Sequence, residues 1–432
     1  MSGTLDGGAL SIGALLRQAL AMHGQGQWAQ MAKLCHQVLA QQPQQADALH
    51  MLALAHAQLG DWAEAHTWFE RAQQAAPQRG DIRANHVRLW LEAGQPEQAL
   101  AVCTQPPLPT QQTHLLHTLW GQALLQAGHT EQAIQLLGDL VKAHPALPDA
   151  RVALGNALHR AGQHQEAIAQ YDQALTAQPR MVDALHNKAL SQISLRLYAQ
   201  AESTLQTVLS LQPNTPTASR HLANVSSHWV QPVLGPRFRL EPWCAAHADF
   251  LHKCLAHRPF MSRYNRHWAP LQGEHTLPEW LAQRVQAHPM DTRSVNWVIV
   301  DTTSGTPLGL AGLTEIDFVH RRAEFMLGLL EPDHAPWGAG LEVALMVMNF
   351  AFNTVRLNKL VSIVYAYNRE AQANTLELGF AAEGYLREEL WQADVGCYQD
   401  IHRNGMTQQQ FKAQPRLQRL AKRLLGLNIE DV

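Results

Sequence analysis

The chain has 432 residues, of which 46% are hydrophobic and 16% charged, and a formal net charge of −3. That length suits two or three domains with real cores, and the near-neutral balance gives no electrostatic reason to expect nucleic acid or an anionic membrane as a partner. The five cysteines (Cys35, Cys103, Cys244, Cys254, Cys397) lack C-x-x-C spacing, and no apolar run or signal-peptide pattern marks the start, so no metal, no disulfide framework and a cytoplasmic location are expected.

From Ile12 the chain repeats itself with a period of about thirty-four residues. A proline closes successive units at Pro43, Pro77, Pro145, Pro179 and Pro213, with Gln111 where one more would fall. A small residue recurs inside each second helix at Ala65, Ala99, Ala133, Ala167 and Ala201, with Met31 in the first unit. Glycines recur between paired helices at Gly26, Gly60, Gly94, Gly128 and Gly162, while the sixth unit has Arg196. Small residues let two helices approach closely, and Trp62 and Phe69 fill the space between units. Stretches such as GDWAEAHTWFERAQQAAP, residues 60–77, resemble the tetratricopeptide repeat. An all-α solenoid of six repeats is expected over 12–214, capped by a helix over 215–229 and followed by a two-proline linker over 230–236. The third repeat ends in a Pro-rich turn, TQPPLPTQQT, in place of its last helical turn. Such an array offers a groove for a protein or peptide partner, with Asn156 and Asn187 placed to face it; it could equally dimerise the chain or pack on the second half. The dispersed histidines, such as His114, His117, His159 and His164, read as polar surface residues.

The second half alternates strands and helices. Residues 237–243 (RFRLEPW) read as a strand and 244–260 as an amphipathic helix ended near Pro259. Residues 261–275 mix aromatics with Arg263 and Arg266, and 276–288 begin as a helix with Thr276 and Glu279 at capping-box spacing. Residues 294–301 and 307–317 read as a hairpin with Gly305 in its turn. Residues 321–332 form a half-buried strand that carries Glu324 among apolar neighbours. The loop 333–340 (DHAPWGAG) leads into an apolar helix over 341–355, a strand over 359–368 and a helix over 369–380. Strand, glycine loop and helix N-terminus together suit an anion, because free N–H groups and the positive helix end converge there. A basic amphipathic helix over 413–432 closes the chain and is expected to dock on the protein itself rather than on a membrane.

WGAG at 337–340, NREAQANTLELGF at 368–380, YQDIHRNGM at 398–406 and GPRFRLEP at 235–242 occur in one order and spacing. They resemble the GNAT superfamily of acetyltransferases, and most nearly the branch that acetylates ribosomal-protein N-termini and amino sugars. The resemblance implies an α+β acetyltransferase domain over 237–412 that uses acetyl-CoA and no metal. It implies strands that splay near Leu327 and Ala366, with backbone groups at Leu327 and Leu329 meeting the thioester and the pantetheine arm. Trp337, Gly338, Ala339, Gly340 and Leu341 would serve the pyrophosphate, Asn368 the pantetheine arm, and residues 261–275 would lie over the acceptor pocket. Glu324 is the candidate base; it could instead pair with Arg321 or Arg322, leaving Glu315, Tyr398 or His402 for that work. Two positions depart from the pattern: Ala371 stands where the branch has Ser, and Thr375 where other relatives carry a Tyr acid. Glu342 would either face the pyrophosphate unfavourably or point outward as a helix-dipole partner. The expected function is N-acetyl transfer to a primary amine (a protein N-terminus, a lysine or an amino sugar), with the repeats recruiting a protein partner or substrate. The alternative is a non-catalytic, acetyl-CoA-binding scaffold.

Overall fold

The structure is a computed structural model that describes residues 11–110, 113–265, 277–284, 287–392 and 396–430. Arg266 and the Thr276 capping box lie outside the described residues. The chain divides into two compact units, 1–197 and 198–432.

In the first unit, paired helices follow one another from Ile12–Gly24 and Trp28–Gln41 to Pro148–Arg160 and His164–Ala177, with Val182–Ser194 last. Gly26, Gly60, Gly94, Gly128 and Gly162 all have left-handed backbone, with φ between 69° and 87°, and end the first helix of each pair. Arg196 takes the same conformation at φ 59° without glycine's freedom. Met31, Ala65, Ala99, Ala133 and Ala167 are fully buried where the helices meet. The approach is closest at two glycines. A Cβ built on Gly121 would lie 2.4 Å from Leu137 Cγ, and one on Gly155 would lie 2.6 Å from Tyr171 Cε1.

The third pair is irregular as its sequence suggests: its second helix, Pro96–Thr104, has 9 residues where the others have 14. The buried Arg83 guanidinium holds the turn that follows by donating to Gln105 O (2.6 Å) and Pro107 O (2.9 Å). Two histidines depart from the surface role expected of them. His50 and His86 are buried, because His86 stacks on Phe69 and bonds Gln73 and His66, while His50 bonds Asn85. Asn187 Nδ2 and Tyr171 Oη both donate to Asn156 Oδ1 at 2.8 Å, so that oxygen is committed within the array rather than to a peptide.

The second unit runs from Tyr198. Helices Tyr198–Leu211 and Pro216–Val225 belong to it, tied in by Ser227 N–H to Glu202 (3.1 Å) and Tyr198 Oη to Asp291 (2.8 Å). Trp229 is buried in the main core of this unit and donates to Ala223 O. Among the described residues its sheet has eight strands: β1 Val233–Leu234, β2 Phe238–Pro242, β3 Val295–Asp301, β4 Pro307–Asp317, β5 Arg322–Leu329, β6 Lys359–Tyr365, β7 Ala381–Gln392 and β8 Cys397–Thr407. They lie in the order β1-β2-β3-β4-β5-β6-β8-β7, antiparallel except for the parallel β5–β6 pair.

Alternation along the strands builds two layers. Trp297, Ile299, Ala311 and Leu313 pack toward the helices Ala339–Asn349 and Pro415–Leu425, while Val298, Val300, Leu310 and Met326 pack toward Leu251, Met261 and Tyr264. The single helix expected over 244–260 is two, Ala248–Ala256 and Arg258–Tyr264. The break falls at His257, whose ring accepts from the Phe260 N–H (3.1 Å), so Pro259 sits in a first turn instead of ending a helix.

Candidate active site

β5 and β6 pair only over Arg322–Lys359, Ala323–Leu360 and Glu324–Val361, and beyond that register they part. A cavity of about 390 Å³ opens in the gap. Of the residues singled out from the sequence, Glu324, Leu327, Gly340, Leu341 and Asn368 line it, as does Tyr365 of β6. Leu329, Trp337, Gly338 and Ala339 are not among its lining residues. Leu329 is still paired with Gly309 of β4, and Trp337 is 89% exposed.

The loop 333–340 turns into the helix Ala339–Asn349 through Gly338, whose φ of 77° only glycine adopts without strain. Ala339 N–H bonds Pro336 O and Glu342 N–H bonds Gly338 O; among the described residues no backbone acceptor takes the amides of Gly340 and Leu341. Glu342 behaves in neither of the ways open to it from the sequence. It is fully buried and accepts from Arg237 at Nε (2.6 Å) and backbone N (3.2 Å), which fixes the strand β2 against the helix start. Asn368 Oδ1 caps the helix Arg369–Glu377 by accepting from Ala371 N–H (3.2 Å), so its Nδ2 is the group left for a ligand. Thr375 lines the cavity, yet its hydroxyl donates to Ala371 O at 2.8 Å and so holds its proton within the helix.

Glu324 is 5% exposed, opposite Thr314 on β4 and Val361 on β6. By alternation it shares the face of Met326, away from the helix Ala339–Asn349. On that face lies a second cavity of about 490 Å³, lined by Arg293, Thr314, Glu315, Asp317, Arg322 and others. Glu324 and Met326 line both cavities. Of the two arginines that could pair with Glu324, Arg321 donates through Nε to Arg356 O (2.8 Å), while Arg322 lines the second cavity together with Glu324. Arg322 lies 3.8 Å from Asp317. Backbone amides of His320 and Val319, with the nearby His320 and Arg322 side chains, hold the Asp317 carboxyl below its ordinary range, so it stays ionised at neutral pH. Glu315 reaches the same cavity through a bulge in β4, where its φ is 50°. Of the other candidate bases, Tyr398 is exposed beside Trp391 and His402 packs on Tyr385; neither lines these cavities.

Three further residues line the first cavity. Tyr264 stacks on Phe260 and is buried, which pushes its hydroxyl pKa up; a Cβ on Gly312 would sit 3.4 Å from that hydroxyl. Arg263 and Arg416 line the first cavity as well. Arg263 and Tyr264 fall in the run 261–275 that the resemblance set over the acceptor pocket, whereas no motif marks Arg416, which a helix distant in sequence delivers.

A mixed sheet with two parted parallel strands, a glycine loop and a helix start at their mouth defines the class of this domain. Residues 237–381 match the acetyltransferase (GNAT) domain family, and residues 13–44, 46–79, 118–181 and 158–225 match tetratricopeptide repeat families. The chain thus carries tetratricopeptide repeats in its N-terminal part and a GNAT acetyltransferase domain in its C-terminal part. It is similar to a spermidine N(1)-acetyltransferase of Escherichia coli (strain K12), 34% identical over 110 residues, or 26% of this chain. A spermidine N(1)-acetyltransferase of Vibrio cholerae is 29% identical over 131 residues, covering 30% of this chain and 73% of that protein. The chain spans 58% of the length of the Escherichia coli relative. A crystal structure of the Vibrio cholerae spermidine N-acetyltransferase with CoA and spermine aligns over 40% of this chain and 98% of that one, at 26% identity and a TM-score of 0.36. These relatives bear a polyamine in their names, an acceptor class apart from the ribosomal-protein and amino-sugar branch that the motifs resemble. Among the described residues no helix is long and apolar enough to cross a membrane.

Proposed function

We propose that the C-terminal domain is an acetyl-CoA-dependent N-acetyltransferase whose acceptor is a primary amine of a small polycation. The observation that carries the proposal is the position of Glu324, a buried carboxylate that lines both the gap between β5 and β6 and the cavity on the opposite face. The first cavity fits the cofactor. The Gly340 and Leu341 amides at the start of an 11-residue helix suit a diphosphate, and a Cβ on Gly340 meets nothing within 4 Å. Asn368 Nδ2 and the stretch of β5 at Leu327, paired with β4 but beyond its register with β6, are placed to hold an extended amide-bearing arm. Acetyl-CoA, when bound, supplies the acetyl group as a thioester.

The residues of the chain do the rest. Glu315 and Asp317 at the rim of the second cavity attract a cationic acceptor, and Glu324 takes the proton that its ammonium must lose before it attacks. The Thr375 hydroxyl donates to Ala371 O, so the departing thiolate is protonated from solvent. The spermidine acetyltransferase relatives support a polyamine-like acceptor. The tetratricopeptide array, in this reading, recruits a protein partner. Calorimetry tests the cofactor site: Gly340→Val should abolish acetyl-CoA binding while the helical circular-dichroism signal stays unchanged. Wild-type affinity in that variant would refute the assignment.

A further inference from the structure

Phosphates need cations as well as amides, and the loop and helix that face the first cavity bring none. From Ala323 to Val355 the sequence has no lysine or arginine. Arg237 stands beside Gly338, but its guanidinium already donates to the buried Glu342 and to Trp337 O (3.3 Å). Two arginines from elsewhere line that cavity, Arg263 and Arg416, and Arg416 stands on the helix Pro415–Leu425, outside the matched domain 237–381. Leu417 and Ala421 bury this helix in the main core, and Gln414 Nε2 donates to Gly379 O (2.9 Å), which sets its first turn at the end of the helix Arg369–Glu377. Arg416 in that turn lines the cavity together with Gly340, Leu341, Asn374, Glu377 and Leu378. Its Nη2 lies 3.7 Å from Glu377 Oε2, and the two side chains are 55% and 69% exposed. A pair so long and so wet is weak, and a phosphate competes for the guanidinium easily. The position is also unfavourable for folding alone: a cation in a first helical turn opposes the helix dipole, whereas Lys422 and Arg423 in the last turn suit it.

We propose that Arg416 binds the 3′-phosphate of coenzyme A, an inference that rests on the acetyl-CoA reading above. The Gly340 and Leu341 amides serve the diphosphate, and the nucleotide end continues outward to the exposed rim where Arg416 stands. Its planar fork matches phosphate oxygens in pairs. The C-terminal helix is therefore part of the cofactor site and not only a cover for the core.

The test is calorimetry on the full chain with two probes, coenzyme A and 3′-dephospho-coenzyme A. Arg416→Ala should weaken coenzyme A binding about tenfold or more and leave dephospho-coenzyme A unchanged, with Arg416→Lys recovering part of the loss. Equal losses for both probes, or no loss for coenzyme A, would overturn the inference while the acetyl-CoA reading stands. If the wild-type chain binds neither probe, the acetyl-CoA reading fails and this inference fails with it.

Discussion

Replacing Glu324 by Gln removes one negative charge and almost no volume. The side chain is buried on a strand held on both sides, opposite Thr314 and Val361, so the amide should keep the packing. A change in stability within about 1 kcal/mol is expected, since the two side chains are nearly isosteric and no cavity is made. Loss of a general base costs roughly a hundredfold to ten-thousandfold in rate, or about 3–5 kcal/mol on the barrier. Acetyl-CoA affinity should be kept, because in this reading the cofactor is held at Gly340, Leu341 and Asn368. Steady-state kinetics between about pH 6 and the pKa of the acceptor amine separate the roles. The deficit should be largest at low pH, where the amine arrives protonated, and should shrink as the amine begins to arrive free. Equal turnover by wild type and variant across that range would remove Glu324 from the mechanism and leave Glu315 as the carboxylate to test.

Two further outcomes concern the repeat unit. Burial lowers the pKa of His50 to about 4 and of His86 to about 3, from an ordinary 6.5. Both are then neutral when folded, so their contribution is intact above pH 6.5 and is lost as pH falls toward those values, because the unfolded chain takes up protons first. At pH 5 the two together should lower stability by on the order of 4 kcal/mol, and His86→Phe should flatten the pH dependence of thermal unfolding. Gly155→Ala would place a methyl 2.6 Å from Tyr171, itself bonded to Asn156, and should destabilise the repeats by about 1–3 kcal/mol in urea unfolding.

The repeat unit was legible because its signals are local and periodic. The glycines at φ near 70–90° and the buried alanines sit where the spacing puts them. Within the acetyltransferase domain, the strands and helices of 294–380 were also legible from alternation and from Gly305, Gly338 and Gly379. What the sequence could not convey was chemistry made by distant segments. Nothing local says that Arg237 neutralises Glu342 105 positions away, that Arg416 reaches the mouth of the β5–β6 gap, or that Tyr264 covers Gly312. The break at His257 was misread because Pro259 fits an end and a beginning equally well, and only the ring bond to Phe260 decides. The prolines of 230–236 read as a linker, and nothing local says that Trp229 just before them is anchored in the core of the second unit.

The central claim is that this domain moves an acetyl group to an amine. The full chain, incubated with acetyl-CoA and spermidine, should release one free thiol for each molecule of monoacetylated spermidine found by mass spectrometry, and Glu324→Gln should do so at least about a hundredfold more slowly. Saturable acetyl-CoA binding with no acetylated product from spermidine, from a lysine-bearing peptide or from an amino sugar would contradict it, and would leave the chain as an acetyl-CoA-binding scaffold.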